Sequence, residues 1–213
     1  MTGTTRGSGA TAAIAPTELV ASPVLPPEVA ATLPEEARAL LEAWLAPENE
    51  PRWFRPDPAF DRILAERFGA LVARAAGGAF DAWLEAPWST LALVLLVDQL
   101  PRNVHRGTPL AFAFDAKARE LARAALARGH HLALPERVRL FLYLPFEHSE
   151  DPADQARAVE LCRQLGGEAL RWAEAHRAVI RRFGRFPHRN AILGRPNTPA
   201  EAAFLEEPGS SFF

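Results

Sequence analysis

Carboxylates and a histidine that could transfer protons stand together in the segment "PFEHSED" (residues 145–151). Glu147 and His148 are our candidates for general acid–base catalysis, because burial and neighbouring charges can shift both groups to titrate near neutral pH. Ser149 and Asp151 have a structural alternative, since either can cap the helix that follows. The segment lacks the HExxH spacing that puts two imidazoles on one helical face, so we predict no metal site.

Two further segments are rich in side chains that could hold an anion. They are "DQLPRNVHRG" (residues 98–107) and "IRRFGRFPHRNAILGRPNT" (residues 180–198). Arginine suits this role because its planar guanidinium donates two parallel hydrogen bonds to a carboxylate or a phosphate. We add Glu150, from residues 145–151, to the candidates in these two segments. The candidate ligand-binding residues are then Asp98, Arg102, Asn103, Arg106, Glu150, Arg185, His188, Arg189 and Asn190.

Each of these residues also has an explanation that needs no ligand. Asp98 follows an apolar run, so it needs a buried partner such as Arg102. Pairing of arginine with glutamate between residues 145–151 and residues 180–198 would satisfy both segments. His176 lies on an apolar helical stripe, where a histidine is most often a hydrogen-bonded core residue. It is also within reach of the polar loops, and it is our third catalytic candidate.

The overall composition excludes several classes of protein. The chain has 213 residues, 48% of them hydrophobic, and a formal net charge of −2, so no general positive field attracts a polyanion. Glu201, Glu206 and Glu207 follow the arginine-rich segment, which further argues against nucleic acid. No apolar run reaches the ~18 residues of a membrane span. A single cysteine, Cys162, fits a reducing cytoplasm, where we expect a monomer or homodimer.

The elements that must position these residues are helices. Phe60, Leu64 and Phe68 recur at helical spacing behind the start signal "RPDP", and no strand or hairpin pattern is found. We therefore predict one all-α domain over residues 31–213, preceded by a flexible extension rich in Pro, Gly and Ala over residues 1–30. The other predicted helices lie within residues 89–100, 108–129, 134–144, 151–167, 168–184 and 198–205.

The order of the helices predicts that the polar segments meet. Pro101 should end the helix over residues 89–100, because its ring clashes with the preceding turn and Leu100 is pushed out of helical geometry. Consecutive helices with short connections usually run antiparallel, so every second loop lies at the same end of the stack. The loops after residues 100, 144 and 183 are alternate ones. We therefore expect all three at one end.

The same motifs resemble a known family. "TLALVLLVDQLPRNVHRGTPLAF", "FLYLPFEHSEDPADQ" and "HRAVIRRFGRFPHRNAILGRPNTPAEAAFL" are similar, in that order, to the bacterial domain of unknown function 924. This resemblance implies a right-handed α–α superhelix of antiparallel helix pairs, as in tetratricopeptide proteins. It implies no established activity. All twelve candidate residues named above lie within these motifs.

Two hypotheses about function remain open at this point, and the sequence does not decide whether the protein is an enzyme. In the first, the polar loops form a site for a small anionic ligand, with hydrolase- or transferase-like chemistry carried by Glu147, His148 and His176. In the second, the chain is a helical scaffold that binds another protein, and the polar loops form an internal structural network. The sequence does not identify a cofactor.

Overall fold

The computed structural model describes residues 25–210, and within that range the chain is all-α, without β-strands, and forms one domain. Short 3-10 turns join several of the α-helices. The tetratricopeptide-like superhelix remains a prediction. The helices are α1 (Pro27–Ala30), α2 (Glu35–Trp44), α3 (Pro58–Ala76), α4 (Pro87–Val97), α5 (Gln99–Val104), α6 (Asp115–Ala127), α7 (Glu136–Arg139), α8 (Leu144–Glu147), α9 (Pro152–Leu165), α10 (Gly167–Phe183) and α11 (Pro199–Leu205).

Helix α4 is the centre of the hydrophobic core. Residues 88–97 are all buried, and the helix packs against α2, α3, α5 and α6. A helix that is apolar on every face can be accommodated only inside a protein, which is the behaviour that its Leu- and Ala-rich sequence predicts. Because α4 is held on all sides, the residues that follow its C-terminus, beginning with Asp98, start from a fixed and buried position.

The prediction of a loop directly after residue 100 is wrong. Helix α4 ends at Val97, and α5 begins directly after Asp98, so Leu100 and Pro101 lie inside a helix. Proline is tolerated there because the first backbone N–H groups of a helix have no intrahelical partner to lose. The consequence is that Arg102 and Asn103 are carried by a short helix and are buried.

Several helix ends follow the sequence signals. The Asp151 side chain accepts a hydrogen bond from the Ala153 backbone N–H at the start of α9, and Gly184 ends α10 with a φ of 71°. Thr198 forms a capping box with Glu201 at the start of α11, as the sequence pattern Thr-x-x-Glu predicts. These hydrogen bonds join residues at most three positions apart, which is why the local sequence is sufficient to predict them.

Other predicted helices are shorter or divided. The segment 108–129 starts with a 3-10 turn, and α6 begins only at Asp115. The segment 134–144 forms α7, a 3-10 turn and the start of α8, whose last residue is Glu147. The apolar helical stripe that carries His176 in the sequence also includes Trp172, Ala173 and Ile180. On α10, Ala173 and Ile180 are buried, whereas Trp172 is 45% exposed and does not lie in the core.

The N-terminal extension was predicted over residues 1–30, and residues 1–24 lie outside the described residues. In the described part, Leu25 is buried in the core and Pro27–Ala30 form α1, so helical structure starts before the expected boundary at residue 31. No helix between residues 25 and 210 combines the length and the apolar character that a membrane crossing requires.

Candidate active site

The junction between α4 and α5 places an aspartate carboxylate in the interior. Asp98 has no exposed surface, and its Oδ1 accepts a hydrogen bond from Nδ1 of His148 at 2.8 Å. Gln99 donates to Asp98 Oδ2 at 2.6 Å, and Arg102 Nη1 lies 3.5 Å from Oδ1. Burial alone would raise the pKa of Asp98, but His148 and Arg102 hold it at about 2. Asp98 is therefore ionised at neutral pH.

His148, at the C-terminus of α8, is oriented by this carboxylate. Burial, together with the positive charge of Arg102, lowers the pKa of His148, so its ring is neutral at pH 7. Because an ionised carboxylate can only accept hydrogen bonds, the ring proton must be on Nδ1. Nε2 then keeps its lone pair, and a histidine held this way can act as a general base.

Glu147 is the neighbouring acid, and its environment is different. The side chain is 1% exposed; its Oε1 accepts a hydrogen bond from Cys162 Sγ at 3.3 Å. Within the described residues Oε2 accepts no hydrogen bond, and it lies 3.4 Å from Nδ1 of His176. Burial raises the pKa of Glu147 to about 7; the Cys162 hydrogen bond opposes this shift and the Asp98 charge adds to it. At neutral pH this carboxyl can release or take up a proton.

His176, on α10, completes the cluster. Its Nδ1 lies 2.8 Å from the Trp172 carbonyl oxygen, and its ring centroid lies 6.4 Å from that of His148. Burial is the main reason that the pKa of His176 is held at about 3, so its ring is neutral. Since a carbonyl oxygen only accepts, Nδ1 carries the proton. The structure thus brings the three catalytic candidates together.

A chain of arginines and aspartates lies beside this cluster. Arg102 Nη2 donates to Asp115 Oδ1 at 2.9 Å, and Arg189 Nη1 donates to Asp115 Oδ2 at 3.2 Å. The Arg189 guanidinium lies 4.5 Å from the ring centroid of Phe112 and 4.6 Å from that of Phe186. Asp115 gives no distinctive signal in the sequence, because an acid in the first turn of a helix is common.

A second missed aspartate holds the other candidates from α5. Asp61, on α3, accepts a hydrogen bond from Asn103 Nδ2 at 2.8 Å. It also accepts from Arg106 Nε at 2.8 Å and from Arg106 Nη2 at 3.0 Å. This bidentate arrangement fixes both side chains on the surface of α3. No local signal distinguished Asp61 from other polar residues on that helix.

The remaining candidates lie in the segment 184–198 and contribute mainly to its internal structure. Arg185 donates to Glu201 Oε1 and Oε2 at 2.6 and 2.8 Å, and Asn190 donates to Asn197 at 2.8 Å. The His188 ring lies against Phe186, with 5.5 Å between the centroids. The Arg185–Glu201 pair connects the segment to α11, and the other two contacts lie within the segment.

Glu150 joins that segment to the loop after α8. It accepts hydrogen bonds from Arg195 at 2.8 and 3.0 Å and from the Phe186 backbone N–H at 2.8 Å. Pairing of glutamate with arginine between these loops, which the sequence suggested as an explanation without a ligand, is present in the Glu150–Arg195 pair. The three polar segments therefore lie close together, as the order of the helices predicted. The segment 98–107, however, is mostly helical and not a loop.

Two clefts open beside the cluster, and His148 lines both. The larger has a volume of about 840 Å³, and its polar lining includes Gln99, Arg102, Asn103, Arg106, Glu147, His148 and His176. The smaller has a volume of about 390 Å³ and is lined by residues that include Asp115, Glu150 and Arg189. Among residues 25–210, no group of three His, Cys, Asp or Glu side chains is arranged to hold a metal ion.

The fold and the cluster define a helical protein with a buried group of ionisable side chains beside a cleft. The chain belongs to the family described as bacterial protein of unknown function (DUF924), whose model matches residues 40–209. It is similar to the solved structure of the protein of unknown function ATU0120 from Agrobacterium tumefaciens, with 47% identity and a TM-score of 0.77. That similarity covers 80% of this chain and 96% of the other. No curated protein matches the chain.

Proposed function

We propose that the larger cleft binds a small organic molecule and that Glu147 and His148 catalyse its conversion by acid–base chemistry. The observation that carries this proposal is the carboxyl of Glu147, which is buried in the lining of the cleft with Oε2 accepting no hydrogen bond from the described residues. An unsatisfied buried oxygen lowers stability, and such groups are concentrated at functional sites.

The two neighbouring groups have complementary proton affinities. His148 is a neutral base held by Asp98, whereas Glu147, with a pKa of about 7, is partly protonated at neutral pH. In a hydrolysis, His148 Nε2 would take a proton from water as the hydroxyl adds to an electrophilic carbon of the ligand. The bond to the leaving group then breaks, and Glu147 gives that group a proton. Solvent restores both protonation states.

The arginines would orient an anionic or electronegative part of the ligand. Arg102 and Arg106 line the larger cleft, and aspartates hold both of them in place. Arg102 Nε donates no hydrogen bond within the described residues, and the contacts of Arg106 with Asp61 use only Nε and Nη2. The charges of both arginines are largely compensated, which favours a ligand with one compact polar group.

The test is a thermal-shift screen of the purified protein against carboxylic acids, phosphate monoesters, esters and amides. Compounds that raise the melting temperature are then incubated with the protein and followed by mass spectrometry. We expect conversion of at least one compound, reduced about 100-fold or more in Glu147→Gln and in His148→Gln. The matched controls are Glu160→Gln, on the exposed face of α9, and His105→Gln, which lies outside both clefts.

The outcomes separate binding from chemistry. A compound that binds but is not converted, with equal affinity for both variants, would show that Glu147 and His148 have no acid–base role. If no compound class raises the melting temperature, the ligand cleft itself is contradicted.

A helical scaffold without a ligand is the second candidate function. The observation in its favour is that the segment 184–198 is satisfied internally, through the pairs Arg185–Glu201 and Arg195–Glu150. In this case Glu147→Gln and His148→Gln would change the stability of the protein, and no small molecule would bind.

A further inference from the structure

The larger cleft is too large for a simple anion. Its volume of about 840 Å³ falls in the range, roughly 300–1,000 Å³, of cavities that hold drug-sized organic molecules. An isolated carboxylate or phosphate next to Arg102 would occupy only a small part of it. The rest of the ligand must therefore match the other walls.

The rest of the lining combines apolar and charged side chains. The apolar part includes Trp53, Phe54, Leu140, Leu144, Leu165 and Trp172, and the charged part is Arg55, Glu136, Arg137 and Glu168. Six large hydrophobic side chains are exposed between residues 25 and 210, and the only aromatic ones among them are Phe54, at 57%, and Trp172, at 45%. Both line this cleft. Exposed aromatic surface is unfavourable in water, and its confinement to one cleft indicates a surface that a ligand covers.

The aromatic wall is rigid on the Phe54 side. The Phe54 ring stacks on Phe141, with 6.0 Å between centroids, and lies 6.4 Å from Trp53. The Trp53 ring is stacked on Trp44 and donates its Nε1 hydrogen to the Trp44 carbonyl oxygen at 2.8 Å. Phe54 is thus the outer end of an aromatic stack that continues into the core. A ring held in this way loses little freedom when a ligand binds.

The Trp172 side is directly connected to the acid–base cluster. Trp172 and His176 are one turn apart on α10. The backbone carbonyl oxygen of Trp172 accepts a hydrogen bond from His176 Nδ1. Four residues of α-helix correspond to about 6 Å along the axis. One ligand in this cleft can therefore contact Trp172 with a planar ring and reach Glu147, His148 and His176 with a polar group.

We infer that the ligand of the larger cleft is an aromatic compound with one compact polar substituent, a carboxylate, amide or ester, and that its ring lies against Trp172 and Phe54. The inference rests on the proposed function, and it names the class of molecule that this site takes. Arg102 and Arg106 are already paired with aspartates, which argues against ligands with several negative charges.

The experiment compares four acids by calorimetric titration: benzoate, phenylacetate, cyclohexanecarboxylate and acetate. We expect the two aromatic acids to bind about tenfold tighter than cyclohexanecarboxylate, which has similar size without an aromatic face, and acetate to bind most weakly. Trp172→Leu and Phe54→Leu keep an apolar side chain but remove the ring, and each should lower the affinity for the aromatic acids about tenfold. Leu132→Ala, at a 65% exposed leucine outside the cleft, is the control and should have no effect.

Equal affinities for benzoate and cyclohexanecarboxylate, or aromatic binding that neither ring variant weakens, would overturn this inference. So would binding of none of the four acids. The proposed function fails separately, if an ester or amide that binds is not converted or if its conversion is unchanged in Glu147→Gln and His148→Gln. Because both ring positions are exposed, loss of the fold is not expected, and the melting temperature of each variant checks this.

Discussion

Among single residues, Glu147 shows most clearly how burial changes the proton affinity of a carboxyl group. Glu147 and Glu150 are three positions apart, yet their pKa values shift in opposite directions. Burial raises the pKa of Glu147, whereas at Glu150 the hydrogen bonds from Arg195 and the Phe186 backbone outweigh burial and lower the pKa. The residue type is the same, and the neighbours decide which of the two could act as an acid near pH 7.

Glu147→Gln should remove a specific pH dependence of stability. The carboxyl has a pKa of 4.5 when exposed and of about 7 when folded, so between these values only the folded state holds the proton. The contribution of Glu147 to stability is therefore full below pH 4.5 and falls by about 3 kcal/mol as the pH rises to 7. The measurement is urea unfolding of the wild type and of the variant from pH 4.5 to 8.

The difference between the two proteins isolates this group. His148 and His176 have lowered pKa values, and their effect has the opposite sign, because the unfolded state binds their protons first as the pH falls. That effect is common to both proteins. Two curves that run parallel over the whole pH range would contradict the raised pKa of Glu147.

The relation between α3 and α5 matters at the scale of elements, because it positions Asn103 and Arg106 against Asp61. The two helices pack closely at Gly69, where an added Cβ would lie 3.7 Å from Val104 Cγ1, an ordinary van der Waals distance. Gly69 is inside α3, where glycine has more freedom to lose on folding than alanine has. The close packing thus leaves room for one methyl group.

Gly69→Ala should therefore stabilise the protein by about 0.5–1 kcal/mol. Gly129→Ala is the control, because it adds the same methyl group at a left-handed backbone position. Gly129 follows α6 with a φ of 72°, and no atom lies within 4 Å of an added Cβ. That variant should be destabilised by about 1 kcal/mol, from backbone strain alone. Chemical denaturation measures both. A destabilised Gly69→Ala would mean that α3 and α5 cannot accommodate the methyl group.

At the scale of the whole molecule, the order of the helices brings distant polar residues together. Asp98, at the end of α4, meets His148, at the end of α8, and Asp115, at the start of α6, pairs with Arg189. His148 lines both clefts beside the resulting cluster. The proposed chemistry and the proposed ligand class both depend on that arrangement.

If the larger cleft binds an organic molecule tightly, freshly purified protein should carry it. We expect the mass under native conditions to exceed that of the chain by a few hundred daltons at most, and the excess to disappear on denaturation. Native mass spectrometry also distinguishes a monomer from a homodimer. A mass equal to that of the polypeptide alone would contradict this prediction and favour the scaffold.

The local sequence is sufficient to predict the all-α class, the buried position of α4 and the caps at Asp151, Gly184 and Thr198. Each of these depends on periodicity or on hydrogen bonds within a few residues. Residue type also made Glu147, His148 and His176 candidates, and the antiparallel order of the helices predicted that their segments meet. The end of the helix at Pro101 was wrong, because the first turn of a new helix tolerates proline as well as a loop does.

The pairing of the charges and the raised pKa of Glu147 depend on contacts between residues that are far apart in the sequence. Asp61 is 42 residues from Asn103, and Asp115 is 74 residues from Arg189, so no local pattern could connect them. The same packing placed Arg185 and Asn190 in internal hydrogen bonds and left Phe54 and Trp172 exposed in the cleft. Burial and charge pairing depend on the distances between elements, and those distances are set by the folded core as a whole.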